Sequence, residues 1–459
     1  MKPLTINEIA KAVGGQVNSP YIGEELVYGV SFDTRQELEG KIFVPLIGLN
    51  ADGHKFIPVA MRHGAVCCFS QIETSVPAIM VRNTQRALSD LAAYYRSLFD
   101  IPVIGITGSN GKTSTKDMVA SVLSQKYNVV KTIGNFNNNI GLPATIFNID
   151  DKTEVLVLEM GMNHRYEISE LSRIARPSIA AITNIGVAHI ENLGSQEEIF
   201  KAKSEILEHL QPNGKLVLNG DDQFLLRHSM RPNTVFVGFS ENNFYRAINE
   251  QTKGLAGASY TLETKNGRGC EIYVPSAGRH MISNSLIAVA IGEELGLGLD
   301  EMKEGIKMYK PSGMRMNIIK TDKGLHIIDD CYNSNPDSAK AALDVLATAS
   351  GGSVAILGDM YELGDEGAQM HYELGKYAVA LGINTIICIG KYSKDTYHGA
   401  CEQVREYAEN TTVMHFDEKS DCINMLSEVL QAEDTILVKA SRGMKFEEIV
   451  NYLISFRDL

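Results

Sequence analysis

Apolar positions along the chain recur with two alternating periods, and that rhythm sets the architecture. Short apolar runs such as Val155-Leu156-Val157-Leu158 and Ile179-Ala180-Ala181-Ile182-Thr183 read as buried strands. Between them, Glu167 to Ala175 carries the helical spacing that alternates with strands in βαβ units, which implies a mostly parallel sheet. From Glu241 to Cys270 a polar stretch interrupts the alternation and reads as antiparallel strands at the sheet edge. The rhythm restarts after the turn-rich Lys310-Pro311-Ser312-Gly313, with strands at Leu325-His326-Ile327-Ile328, Val354-Ala355-Ile356-Leu357, Thr385-Ile386-Ile387-Cys388-Ile389 and Thr435-Ile436-Leu437-Val438. Residues 1 to 100 mix short strands and turns, with a helix near Thr84 to Phe99 in which Leu88, Leu91, Ala92 and Tyr95 share a face. The expected fold class is α/β in three domains: a small mixed α/β unit over 1–100, a central P-loop mononucleotide-binding parallel-sheet domain over 101–313, and a Rossmann-like domain over 314–459. The last has no G-x-G-x-x-G after its first strand.

A chain of 459 residues suits about three domains. With 44% apolar and 22% charged residues it has the composition of an ordinary globular protein. The net charge of -13 argues against a general nucleic-acid binder, because no basic stripe is available to neutralise a phosphate backbone. An anionic ligand must therefore be held by local charges. The seven cysteines show neither C-x-x-C spacing nor a disulfide framework, so free buried thiols are expected. The start, Met1-Lys2-Pro3-Leu4, lacks an apolar h-region, and no segment approaches 18 apolar residues in a row. A cytoplasmic protein without a membrane span is expected.

The strongest chemical signal is Gly105-Ile106-Thr107-Gly108-Ser109-Asn110-Gly111-Lys112-Thr113-Ser114, which follows the strand-like Pro102-Val103-Ile104. Gly108 and Gly111 let the backbone fold its N–H groups around an anion, and the helix that follows presents its positive end to the same place. Lys112 offers an ammonium to outer phosphates, and the Thr113 hydroxyl is placed to ligate magnesium. The glycine frame is shorter than G-x-x-x-x-G-K-T.

Other candidates sit at strand ends, where ligands of open α/β sheets gather. Glu159 closes the run from Val155 and can face the nucleotide and its magnesium, or can be a solvated strand-end acid. His189 follows the strand ending at Thr183; a lone histidine there is either a ligand or a structural residue. Lys203 lies on a helix, and the residues around it give it no role. Asp329-Asp330-Cys331-Tyr332-Asn333-Ser334-Asn335-Pro336 is a polar loop that suits ribose or amide groups, or simply caps a helix. Lys439-Ala440-Ser441-Arg442-Gly443 offers cations to a carboxylate or phosphate, or forms a solvated basic turn. Ser31-Phe32-Asp33-Thr34-Arg35 and Asp52-Gly53-His54 read as turn chemistry.

Taken with Gly134-Asn135-Phe136-Asn137-Asn138-Asn139-Ile140-Gly141-Leu142-Pro143, Glu159-Met160-Gly161 and Leu357-Gly358-Asp359-Met360-Tyr361-Glu362-Leu363-Gly364, these segments resemble the Mur ligase family across nearly the whole chain. The likeness is to the branch that attaches D-alanyl-D-alanine, because the Asp-Asn-Pro-Arg motif of members adding a diamino acid is absent. The resemblance implies an ADP-forming amide ligase of peptidoglycan precursor synthesis. ATP would phosphorylate the terminal carboxylate of a UDP-N-acetylmuramoyl-tripeptide, and the D-Ala-D-Ala amine would displace phosphate from the acyl phosphate.

In that scheme Gly108, Ser109, Asn110, Gly111, Lys112, Thr113 and Ser114 cradle ATP, while Asn284 holds adenine, Asp330 the ribose and Arg315 the phosphates. Thr113 and Glu159 hold one magnesium; His189 and a carbamylated Lys203 serve a second. Ser31, Asp33, Thr34 and Arg35 in a UDP-sugar-binding first domain, with Asn137, Asn138, Asn333, Asn335, Lys439 and Ser441, supply substrate contacts. The resemblance implies a monomer whose central and third domains close on their ligands. Ser334 and Ser283 depart from the family pattern. A folylpolyglutamate synthase-like ligase, a P-loop ATP-binding regulatory module and a catalytically dead scaffold subunit are the alternatives.

Overall fold

The computed structural model describes residues 1–48, 51–267, 269–322, 324–407 and 410–455. Near its N-terminus five strands form a sheet in the order Gln16–Val17, Ala78–Met80, Cys67–Ser70, Lys41–Phe43, Gly29–Ser31, parallel except for the first. The helix Thr84–Ser97 joins this sheet to the next. Leu88, Leu91, Ala92 and Tyr95 are its buried face, as the spacing predicts, and they share one apolar core with Leu142, Ile146 and Ile149. Tyr95 also donates its hydroxyl to the Ile149 carbonyl at 2.7 Å. Next to it, the buried Arg96 guanidinium binds the carbonyls of Ala175, Phe99 and Ile101. Carbonyls left over at a helix end and a linker thus find donors, and the linker cannot swing freely.

The central sheet has nine strands, ordered Gly269–Val274, Ala258–Thr264, Tyr245–Thr252, Thr234–Gly238, Lys215–Asn219, Ile179–Ile182, Val103–Thr107, Val155–Glu159, Val129–Lys131. Strands such as Val155–Glu159 are buried at every residue, which explains their unbroken apolar runs. The expected antiparallel edge is present, although Tyr245–Thr252 runs parallel to Thr234–Gly238 before its antiparallel partners follow. Register matters most at the sheet centre: Glu159 pairs with Ile106, and Ile182 with Thr107. Both flanking strands therefore end level with the glycine loop.

The third sheet runs Asn317–Lys320, His326–Asp329, Thr435–Lys439, Ser353–Gly358, Thr385–Ile389, Thr412–Phe416. It is parallel except for the antiparallel first strand. That strand and Thr412–Phe416, both half-buried, were not evident from the pattern. The C-terminal strand inserts between two earlier ones, so that Lys439 ends beside Asp330 rather than at an edge. Among the described residues no helix is long and apolar enough to cross a membrane.

Candidate active site

A cavity of about 890 Å³ lies where the carboxyl ends of the central strands meet the first loops of the third sheet. The glycine loop forms its floor. Gly108 has φ +150° and Gly111 φ +79°; a Cβ on Gly108 would stand 1.8 Å from Thr183 Oγ1, and one on Gly111 2.9 Å from Asn284 Oδ1. Both positions need glycine. Thr183 and Asn184, at the end of the neighbouring strand, hold the loop: Thr183 Oγ1 donates to the Asn110 carbonyl at 2.5 Å, and the Asn110 N–H donates to Asn184 Oδ1 at 2.9 Å. The glycine-to-lysine stretch is braced by side chains that its own sequence does not contain.

Lys112 opens the helix Lys112–Leu123 and folds back, donating to the carbonyls of Gly108 at 2.7 Å and Ser109 at 3.2 Å. Burial pulls its proton affinity down to about 8; Glu159 pulls the other way, and Arg315 adds to the decrease. An incoming polyphosphate would restore the charge that burial removes.

Glu159 is 1% exposed. Its Oε1 accepts from Asn137 Nδ2 at 2.7 Å, whereas Oε2 has no hydrogen-bond partner among the described residues. Lys116 Nζ stands 3.9 Å from that oxygen. A buried carboxylate oxygen left without a donor costs free energy unless a cation meets it, and Thr113 lines the same wall. The donor set fits a hard divalent ion such as magnesium.

The second proposed metal position is less complete. His189, in the left-handed region at φ +65°, lines the cavity with Nδ1 2.5 Å from Glu362 Oε2 of the third domain. One ring nitrogen is thus occupied by a carboxylate that orients it. Lys203 is 1% exposed, and burial, with the nearby charge of Lys112, holds its proton affinity well below the ordinary lysine value. No described residue forms an ion pair or hydrogen bond with its ammonium, and no group of three or more His, Cys, Asp or Glu side chains among the described residues forms a ready metal cage.

On the nucleotide side Asn284 is buried against Gly111 on the helix Arg279–Glu294. Arg315 lies with its guanidinium 4.1 Å over the Tyr332 ring, between Met314 and Met316, which both have positive φ. Such bulky left-handed residues are strained. Asp330 accepts from Met316 N at 3.1 Å and pairs with Lys439 at 2.5 Å. Lys439, expected to offer its charge to a substrate, does line the cavity; it is 2% exposed, paired with Asp330, and also donates to the Asn333 carbonyl at 3.0 Å.

Asn335 joins the two halves. It caps the helix Pro336–Leu346 through Ser338 N at 2.9 Å, and its Nδ2 reaches Asn110 Oδ1 at 2.7 Å. Asp337 faces Gly186 and Val187 from the same helix start.

Other expected contacts lie elsewhere. Asn138 Oδ1 accepts from the N–H groups of Ile140 and Gly141, where the helix Gly141–Ile146 begins, and does not line the cavity. Ser441 Oγ accepts from Tyr361 N, which ties two loops of the third domain. Ser31, Asp33, Thr34 and Arg35 lie at the end of the strand Gly29–Ser31, outside the cavity; Arg35 pairs with Asp33 at 2.7 Å and holds its carboxyl down to about 2. Thr183, Asn184 and Glu362 lie in segments that carry the family resemblance, but the sequence assigns no role to them or to Asp337. Thr183 and Asn184 carried one usable signal, their position just past a strand that neighbours the loop strand.

Residues 106–292 match the Mur ligase middle domain, and residues 314–442 match the Mur ligase glutamate ligase domain. The chain belongs to the Mur ligase family. It is 38% identical over 459 residues to the UDP-N-acetylmuramoyl-tripeptide–D-alanyl-D-alanine ligase of Bacillus subtilis (strain 168), with 98% of each chain covered. The crystal structure of MurF from Acinetobacter baumannii superposes with a TM-score of 0.91 at 28% identity, covering 99% of this chain and 100% of that one. MurF from Thermotoga maritima, solved in complex with ADP, gives a TM-score of 0.81 at 26% identity over 93% of this chain and 97% of that one.

Proposed function

We propose that this Mur ligase joins D-alanyl-D-alanine to the terminal carboxylate of a UDP-N-acetylmuramoyl-tripeptide with cleavage of ATP to ADP and phosphate. The observation that carries the reading is the shared cavity, in which Lys112, Glu159 and Asn110 of the central domain face Arg315, Asp330 and Asn335 of the third. A carboxylate is a poor electrophile and must be activated before an amine can displace a group from it. Activation by phosphoryl transfer, with catalysis by positioning and charge stabilisation, is the chemistry this arrangement supports.

Lys112 meets the migrating phosphoryl group, the loop N–H groups hold the phosphate chain, and Arg315 reaches it from the far side. Glu159 and Thr113 would hold magnesium, which neutralises the β- and γ-phosphate oxygens when bound. His189, oriented by Glu362, would serve a second ion together with Lys203. A buried lysine with lowered proton affinity is the form that reacts with carbon dioxide, and the carbamate would turn a stranded cation into an anion beside the metal. Asn333 and Asn335 line the wall on which the incoming dipeptide would approach. The first domain, with Ser31 to Arg35, would hold the UDP-sugar end of the long substrate.

The test is phosphate release from ATP and magnesium in the presence of D-Ala-D-Ala and UDP-N-acetylmuramoyl-tripeptides ending in either diaminopimelate or lysine. Release should require both the tripeptide and the dipeptide. Release independent of D-Ala-D-Ala, or dependent on a folate and glutamate instead, rejects the reading.

A further inference from the structure

The linker between the central and third domains makes a polar contact that the chemistry above leaves unused. Ser312 Oγ donates to Asp117 Oδ2 at 2.5 Å. Asp117 is 5% exposed on the helix that begins with Lys112, and its other oxygen takes Lys131 Nζ at 2.7 Å and lies 3.4 Å from Lys116. Two ammonium groups on one side leave the second oxygen to accept the serine proton.

Three residues beyond Ser312 comes Arg315. The left-handed Met314 and Met316 on either side of it are conformations that persist only where the surroundings fix both ends of the segment. Met316 N on Asp330 Oδ1 fixes the chain just after Arg315, and Tyr332 N on the Met314 carbonyl fixes the residue just before it, both at 3.1 Å. Further upstream, the Ser312 contact sets how the linker enters this segment. Neither Asp117 nor Ser312 lines the cavity, so any influence they have on a bound nucleotide must pass through the backbone that carries Arg315.

We propose that Asp117 is a positioning residue that, through Ser312, sets where the Arg315 guanidinium meets the nucleotide phosphates. This rests on the nucleotide site of the proposed ligase and on no part of its peptide chemistry. A merely structural Asp117 would change stability without coupling to Arg315; a positioning one must lose its effect once Arg315 is gone.

The experiment is a double-mutant cycle on full-length protein. Affinity for the β,γ-imido analogue of ATP with magnesium is measured by calorimetry for wild type, Ser312→Ala, Arg315→Ala and the pair, with thermal midpoints recorded alongside. Ser312→Ala should weaken binding about fivefold and Arg315→Ala about tenfold, the scale of lost charge-assisted contacts. The pair should match Arg315→Ala alone, and Ser312→Thr, which keeps the hydroxyl, should bind like wild type. Asp117→Asn should repeat the Ser312→Ala loss and add nothing to it; if its midpoint collapses, Ser312→Ala still decides the question. Losses that multiply in the pair, or a Ser312→Ala protein with wild-type affinity, overturn the proposal and leave the ligase reading intact. Coupled losses in a protein whose phosphate release ignores D-Ala-D-Ala overturn the ligase reading and uphold the positioning role.

Discussion

Adding one methyl group at Gly108 tests the geometry of the loop most directly. The new Cβ would lie 1.8 Å from Thr183 Oγ1, 3.0 Å from its Cβ and 3.1 Å from its backbone nitrogen, at φ +150°. Thr183 must turn away, which breaks its bond to the Asn110 carbonyl. That bond contributes about 1 kcal/mol, the backbone conformation costs a side-chain-bearing residue about 1–3 kcal/mol, and residual overpacking adds about 1–3 kcal/mol. The total is about 3–7 kcal/mol, shared between lost stability and a displaced loop. At about 1.4 kcal/mol per tenfold, nucleotide affinity should fall by roughly two to five decades where the loop takes the strain, and the melting temperature should fall where the fold does. Calorimetric titration and thermal unfolding of Gly108→Ala separate the two. The decisive control is Gly108→Ala with Thr183→Ala, which removes the oxygen in the way. Thr183→Ala alone should cost only its hydrogen bond, so the double variant should bind more tightly than Gly108→Ala. Affinity of Gly108→Ala within about threefold of wild type, or no gain from the second substitution, would refute the reasoning.

Lys112→Ala should reduce turnover by at least about a hundredfold, because the phosphoryl group then loses its mobile cation; turnover near the wild-type rate would defeat the assigned role. Since burial holds Lys112 at about 8 in the free protein, most of the population is neutral at pH 9, and phosphate oxygens beside it favour the charged form. Nucleotide binding at pH 9 should therefore take up protons, seen as a buffer-dependent heat in calorimetry and absent in Lys112→Ala. The folding linkage has the opposite sense: a lysine depressed from 10.5 costs stability below about pH 8, and that cost fades as pH rises toward 10.5. Lys203→Arg keeps a cation that cannot form a carbamate, so ligase activity should be lost while nucleotide affinity stays within a few-fold; carbon-13 bicarbonate should give a carbamate resonance in wild type and none in the variant. His54, 7% exposed, bonds Asp52 Oδ1 at 2.7 Å and accepts from Gln71 N at 3.1 Å, so His54→Ala should cost about 2–3 kcal/mol in denaturant unfolding with nucleotide affinity unchanged.

The phosphate loop was legible because its chemistry is local: two glycines, a lysine and a threonine within a few residues specify a backbone cradle wherever a strand feeds a helix. Glu159 was legible for a related reason, since a parallel sheet aligns strand ends, and the register that pairs Glu159 with Ile106 follows from two apolar runs of similar length. Residues whose partners come from distant chain were read less well. Lys439 looked like a free cation past the last strand; it is not free because that strand inserts beside His326–Asp329, with Val438 level with Asp329, and so delivers Lys439 to Asp330. Nothing local to residue 439 encodes that insertion. Asn138 and Ser441 illustrate the same limit on a smaller scale, because a turn at a helix start and a loop tie use the same side-chain oxygen that a substrate would. His189 and Glu362, 173 residues apart, meet only because the third sheet docks its Gly358 loop against the central strand ends. In a site assembled from two sheets, the residue types announce which charges are present, and strand order decides which of them are left over for a ligand. Lys112, with no carboxylate bonded to it, and a Glu159 oxygen met only by Lys116 at 3.9 Å are left over here among the described residues, whereas Lys439 faces the cavity already paired with Asp330.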